Sequence, residues 1–202
     1  MGTRNLTIVK HNGEYKVAQY GQWDGYPEGQ GVMALEFARR ISAINPRLEF
    51  TRKVDAIKIA SMEYMESINS RIDDGSLKNW REKYPELSRD TCARILDMIM
   101  DRPPGLVLKD DINFAADSLF CEWAYVIDLD ENTFEAYEGI NKSPLSPEDR
   151  FYFLMDKIPT DYSTQYYPIK LYPHAKWQLN KLPTSEEFLE TFHGDEGDTE
   201  IA

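Results

Sequence analysis

Arg4-Asn5-Leu6-Thr7-Ile8-Val9-Lys10-His11-Asn12-Gly13-Glu14-Tyr15-Lys16-Val17-Ala18-Gln19-Tyr20 is the stretch that decides the fold. Leu6, Ile8 and Val9 precede the pair Asn12-Gly13, and Tyr15, Val17 and Tyr20 follow it. Asn-Gly tolerates positive φ at both central positions of a type I′ turn, whose twist matches that of the strands it joins. Residues 4–10 and 14–20 are therefore predicted to form a β-hairpin. Alternation returns at 121–129, where Cys121, Trp123, Tyr125, Ile127 and Leu129 fall on one side. After Asp130-Glu131-Asn132 the chain comes back through Phe134, Ala136 and Tyr137, which predicts a second hairpin. Leu106-Val107-Leu108 and Ile169-Lys170-Leu171 are short strand candidates.

Working outward, the remaining patterns are helical. Leu35, Ala38 and Ile41 predict a helix from about Val32, which Asn45-Pro46 is expected to end. Val54, Ile57, Ser61, Tyr64, Ile68 and Ile72 predict a second helix over 54–72. Ser88 is a candidate N-cap ahead of Cys92, Ile95, Leu96 and Ile99. Ser146-Pro147-Glu148-Asp149 has the cap, the early proline and the first-turn acids of another helix start. Thr184 with Glu187 forms a capping box for a last helix. The expected fold class is α+β: an antiparallel sheet built from two or more β-hairpins, covered by several helices. The expected organisation is one globular domain over 1–192 and an acidic, disordered tail over 193–202.

Composition narrows the function classes. The 202 residues are 42% apolar and 12% aromatic, as in a folded protein, with 23 Lys+Arg against 35 Asp+Glu and a net charge of −12. The charge is uneven: residues 1–60 hold nine basic and six acidic side chains, the remainder 14 and 29. Such an acidic chain is a poor candidate for non-specific nucleic-acid binding, which needs a basic surface. No run of about 18 apolar residues suggests a membrane span. The start of the chain shows neither a signal-peptide pattern nor, with Leu6 at its sixth position, a myristoylation signal, so a cytoplasmic location is expected. Cys92 and Cys121 are read as buried free thiols, and two Cys with His11, His174 and His193 make no zinc spacing. Neither a metal nor a cofactor is expected. Asp128-Leu129-Asp130-Glu131-Asn132 begins like a calcium loop, but Thr133 and Gly139 stand where Gly and Glu are needed, so it reads as a turn.

The richest segment is Gly21-Gln22-Trp23-Asp24-Gly25-Tyr26-Pro27-Glu28-Gly29-Gln30-Gly31. Trp23 and Tyr26 can stack on a planar ligand, and Gln22 and Gln30 can read donor and acceptor edges. Asp24 lies between the aromatics, and the loop runs into a helix N-terminus, which favours anions. The spacing is neither a P-loop nor a dinucleotide fingerprint. Arg39, Arg40, Arg47, Arg52, Lys53 and Lys58 follow, opposed only by Glu49 and Asp55, and could attract phosphate. The alternative is structural: Trp23, Tyr26 and Pro27 pack the loop over the core, Asp24 caps or pairs with Arg4, and the cations are solvated. There is no Gly-x-Ser-x-Gly elbow.

Gly2-Thr3-Arg4-Asn5-Leu6-Thr7, the segment 19–31, Tyr125–Phe134 and Leu182–Phe188 together resemble a family of uncharacterised proteins found in phages, bacteria and fungi. The likeness covers most of the chain, and the aromatic-Asp-Gly-Tyr-Pro-x-Gly loop is its most specific part. It implies no catalytic residue; its occurrence in phages implies a host-interaction or defence-related role. The expected function is a binding protein for a small anionic, nucleotide-like ligand held by Arg4, Gln22, Trp23, Asp24, Tyr26, Gln30, Arg39 and Arg40. The alternatives are an enzyme on such a ligand with Asp24 as acid or base, and a protein-interaction module that docks a basic partner on its acidic helical half.

Overall fold

At Asn12-Gly13 both residues take positive φ, 54° and 75°, as a type I′ turn demands. This is seen in a computed structural model that describes residues 2–160 and 163–193. The turn joins β1 (Asn5–His11) to β2 (Glu14–Gly21), which pair antiparallel from Asn5 opposite Gly21 to His11 opposite Glu14. β1 is buried over its first five residues, so it cannot be an edge strand.

The chain then makes a long helical excursion. A wide helical turn, Pro27–Gly31, in which the Gly31 N–H donates to the Tyr26 carbonyl, leads into α1 (Val32–Arg40). α2 (Ile44–Asp55) follows, so Asn45-Pro46 opens a helix rather than ending one. Proline in a first turn sacrifices an N–H that has no intrahelical partner anyway. The helix expected over 54–72 is likewise divided. After α2 come β3 (Lys58–Ile59) and then α3 (Met62–Asp73), whose N-cap Ser61 accepts from the Tyr64 N–H at 3.1 Å. What divides it is pairing: β3 lies parallel to β4 (Val107–Leu108), the short strand expected near 106–108. Between them lie a short α4 (Trp80–Lys83) and α5 (Arg94–Asp101), with Ile95, Leu96 and Ile99 buried.

β5 (Trp123–Asp128) and β6 (Thr133–Glu138) pair antiparallel, and β7 (Lys170–Gln178) adds antiparallel to β6. The five-stranded sheet has the order β2-β1-β5-β6-β7. Its centre corrects the purely antiparallel expectation: β1 and β5 run parallel, from Asn5 opposite Trp123 to Lys10 opposite Asp128. Alternation in sequence carries no strand direction. β2 carries the chain back to the end at which β1 starts, and the helical excursion leaves from and returns to that end, so β5 enters beside β1 in the same direction.

One sheet face, with Val9, Tyr125, Ile127, Phe134 and Ala136, packs beneath Leu35, Phe37, Phe50, Val54, Ile95, Leu96 and Phe188 of the helices. Phe188 belongs to α6 (Ser185–His193), whose capping box closes at both ends: Thr184 N–H donates to Glu187 Oε2 at 2.7 Å, and Glu187 N–H to Thr184 Oγ1 at 3.1 Å. The other face, with Leu6, Ile8, Val126 and Tyr137, is covered by Ala115, Ala116, Phe151 and Leu154 from short 3-10 turns. The helix expected from Ser146 is therefore only a capped turn and a 3-10 turn at Tyr152–Leu154. The reason lies in Arg150, which turns inward to the sheet. Its guanidinium meets Asp128 Oδ2 at 2.8 Å and both oxygens of Glu135 at 2.8 Å, and both carboxylates are fully buried. Of the expected tail, His193 ends α6 and residues 194–202 lie outside the described ones.

Candidate functional site

The loop after β2 is built by close packing onto the start of β1. A Cβ at Gly21 would stand 2.7 Å from Asn5 Oδ1 and 2.8 Å from Cys92 Sγ; one at Gly29 would stand 2.3 Å from the Asp24 carbonyl oxygen. The close approach that these glycines permit is thus to the protein's own loop and core. The Gly25 N–H donates to the Thr3 carbonyl, the Gln30 N–H to the Asp24 carbonyl, and the buried Tyr125 hydroxyl to the Gly25 carbonyl at 2.9 Å. Held between these bonds, Asp24 sits at φ 52°, a left-handed conformation that costs an L-residue roughly 1–2 kcal/mol.

Residues 88–94, just before α5, form the facing wall. The Gln22 N–H donates to the Arg89 carbonyl, the Ala93 N–H to Gln30 Oε1 at 3.0 Å, and the Trp23 indole N–H to Asp90 Oδ1 at 2.9 Å. Cys92 is left-handed as well, at φ 50°. Between the walls is a cleft of about 410 Å³ lined by Trp23, Asp24 and Gln30 on one side, Asp90, Cys92 and Arg94 on the other, and Met33 of α1. That volume is in the range of small-ligand sites. Trp23 is 46% exposed. The Asp24 carboxylate makes no hydrogen bond or ion pair among the described residues, whereas Asp90 is engaged by Trp23 and by Arg81 at 3.4 Å. Burial pushes the Cys92 thiol up, away from the thiolate form, which disfavours it as a nucleophile.

Behind Cys92 the first strand pair presents polar side chains to the helices. Asn5 Nδ2 donates to the Gly21 and Trp23 carbonyls, and Gln19 Nε2 to the Tyr20 and Ser88 carbonyls. Because each nitrogen already faces carbonyl oxygens, the amide orientations are fixed. Asn5 Oδ1, Gln19 Oε1, Thr7 Oγ1 and the neighbouring Arg4 Nε are buried without a partner among the described residues.

Of the residues expected at the site, Trp23, Asp24 and Gln30 line the cleft together. Gln22 sits at the loop's start, accepting from the Tyr20 hydroxyl at 2.7 Å, and Tyr26 is exposed on the loop without lining the cleft. Arg4, Arg39 and Arg40 do not join them. The Arg4 guanidinium lies 4.2 Å from the Phe120 ring centroid; Arg39 donates to the Pro183 carbonyl and anchors the entry to α6; Arg40 pairs with Asp97. Arg47 and Lys53 likewise bond to neighbouring chain, at Asn132 and the Met100 carbonyl. Met33, Asp90, Cys92 and Arg94 enter the site from outside the loop. The sequence marks Cys92 only as an early residue of the helix expected after Ser88, which instead begins at Arg94, and nothing in it announces the left-handed turn that aims Cys92 and Asp90 here. Among the described residues, no group of three or more His, Cys, Asp or Glu side chains is placed to hold a metal ion, and no helix is long and apolar enough to cross a membrane. No protein-family model, curated protein or solved structure matches the chain.

Proposed function

We propose that the protein binds a small planar, nitrogen-bearing ligand of nucleobase type in the Trp23–Asp24 cleft. One observation carries this reading: Asp24, held in a strained left-handed conformation, lines the cleft with an exposed side chain that has no partner among the described residues, beside an exposed tryptophan ring. Strain of this kind persists where the surroundings over-determine it, and it concentrates at ligand clamps. Stacking on Trp23 is worth about 1–3 kcal/mol per base, and a charge-assisted N–H bond to Asp24 about 1.5–3 kcal/mol. Recognition falls on the base rather than on the phosphate of a nucleotide, because among the described residues Arg94 is the one cation lining the cleft and it already donates to the Asp90 and Thr91 carbonyls.

Thermal-shift measurements with adenosine, cytidine, uridine and AMP test it. Adenosine and cytidine, which carry an exocyclic amine, are expected to raise the melting temperature more than uridine, and AMP no more than adenosine. Trp23→Ala and Asp24→Asn should each abolish the shift. Shifts absent with all four, or unchanged in both variants, would overturn the proposal.

A further inference from the structure

A second recess adjoins the first. On α5 the positions 94, 97, 98 and 101 share the face opposite the buried Ile95, Leu96 and Ile99, as the helical spacing of three and four residues requires. Between that face and Pro85 lies a hollow of about 440 Å³, whose lining includes Thr91, Met98, Asp101 and Arg102. Arg94 lines this recess and the Trp23 cleft alike, so it is the partition between them.

The charges in the pair of recesses can be sorted by partner. Arg102 pairs with Glu86 at 2.7 Å. Arg94 donates to the Asp90 carbonyl at 2.6 Å and to the Thr91 carbonyl at 3.4 Å. Asp97 is taken by Arg40, and Asp90 by Trp23 and Arg81. Two groups, both exposed and open to a ligand, make no bond or ion pair among the described residues: Asp24 in the first recess and Asp101 in the second. Each stands near soft apolar walls, Trp23 and Met33 in one case and Pro85 and Met98 in the other. An aromatic face beside a free carboxylate is an arrangement that receives a cation carrying N–H donors. The guanidinium between the two recesses disfavours a positive charge at mid-span.

We infer that the two recesses form one site for an elongated ligand with a cationic N–H donor group at each end and an uncharged middle. One end stacks on Trp23 and bonds to Asp24, the middle passes Arg94, and the other end bonds to Asp101. This rests on the Trp23–Asp24 cleft being a site for a planar N–H donor, narrows the group there to a cationic one, and adds the second half of the ligand.

Calorimetric titration with benzamidine, and with two benzamidine groups joined through a polymethylene spacer of graded length, tests it on the full chain. The expected result is that benzamidine binds weakly and the linked compound at least about tenfold more tightly at one optimal spacer length, as joined binding groups do. Asp101→Asn should remove that advantage and weaken benzamidine binding less than Asp24→Asn does. Asp24→Asn should weaken both compounds. Glu63→Gln, a charge change on exposed α3, should preserve the advantage and so exclude general attraction to an acidic surface. A linked compound no tighter than benzamidine at any spacer length overturns the two-recess inference alone, as does an advantage that survives Asp101→Asn. If neither benzamidine nor the nucleosides bind, the cleft itself is not a ligand site and both readings fall.

Discussion

Asp24 and Cys92 are two non-glycine residues held at positive φ on facing walls of one cleft, and their strain has a measurable consequence. Replacing Asp24 by glycine removes the steric cost of the left-handed conformation along with the carboxylate. Asp24→Gly should therefore raise the unfolding free energy by up to about 1 kcal/mol while abolishing ligand-induced stabilisation. Urea denaturation with and without adenosine checks this; a destabilised variant would show that Asp24 serves the fold instead. Gly21 is the converse case. A Cβ there meets the Asn5 amide and Cys92 Sγ below 3.0 Å, so Gly21→Ala should cost about 1–3 kcal/mol by overpacking, visible as a lower urea midpoint. At this scale the sequence is legible where local chemistry decides: Asn12-Gly13 takes the φ values its residue types prefer. It is silent about Asp24 and Cys92, because their backbone angles are imposed by distant bonds to Thr3, Tyr125 and Arg89.

Elements with a self-contained terminus were readable, and those defined by a partner were not. The Thr184–Glu187 capping box is two reciprocal hydrogen bonds within four residues, and it begins α6 as its sequence indicates. Thr184→Ala should cost about 1 kcal/mol, and Phe188→Ala, which empties a fully buried ring site against Phe134 and Trp177, about 3–5 kcal/mol. Chemical denaturation of both variants checks the ordering; a larger loss for Thr184→Ala than for Phe188→Ala would mean that α6 is held by its cap more than by its packing. The continuous apolar spacing over 54–72, by contrast, conceals a break, because β3 exists only through its pairing with β4 almost fifty residues later. The expected helix after Ser146 fails for a similar reason: Arg150 is bound across the sheet, to Asp128 and Glu135.

At the scale of the whole molecule, the sheet and its helical cover follow from the two alternating segments, whereas the parallel seam between β1 and β5 does not, since direction is set by the path of the intervening chain. The positive balance of residues 1–60 is equally a property of sequence that does not become a surface, because Arg39, Arg40, Arg47 and Lys53 each bond to a different part of the fold. The far face of the sheet is instead organised by Arg150. Burial alone would raise the carboxyl values of Asp128 and Glu135. The Glu131 amide and the Arg150 guanidinium at Asp128, and Arg150 with Tyr137 and Thr133 at Glu135, more than offset it and hold both low. A lowered folded value means stabilisation that is present above the ordinary carboxylate values of 3.8 and 4.5 and is lost as the pH falls below them. Urea midpoints should therefore drop between pH 5 and about pH 3. Arg150→Met, which removes the cation shared by two buried carboxylates and leaves Asp128 with Lys10 at 3.4 Å and Glu135 with Lys176 at 3.1 Å, should cost about 3–5 kcal/mol at neutral pH and weaken that acid trend. A midpoint independent of pH in the native protein would contradict the role given to this cluster. The central claim, that Trp23 and Asp24 form a ligand site with residues 90–94, is tested most directly by backbone amide chemical-shift mapping during an adenosine titration. The account predicts saturable shifts centred on Trp23, Asp24, Gln30, Cys92 and Arg94, absent in Asp24→Asn; shifts that map elsewhere, or none at saturating adenosine, would contradict it.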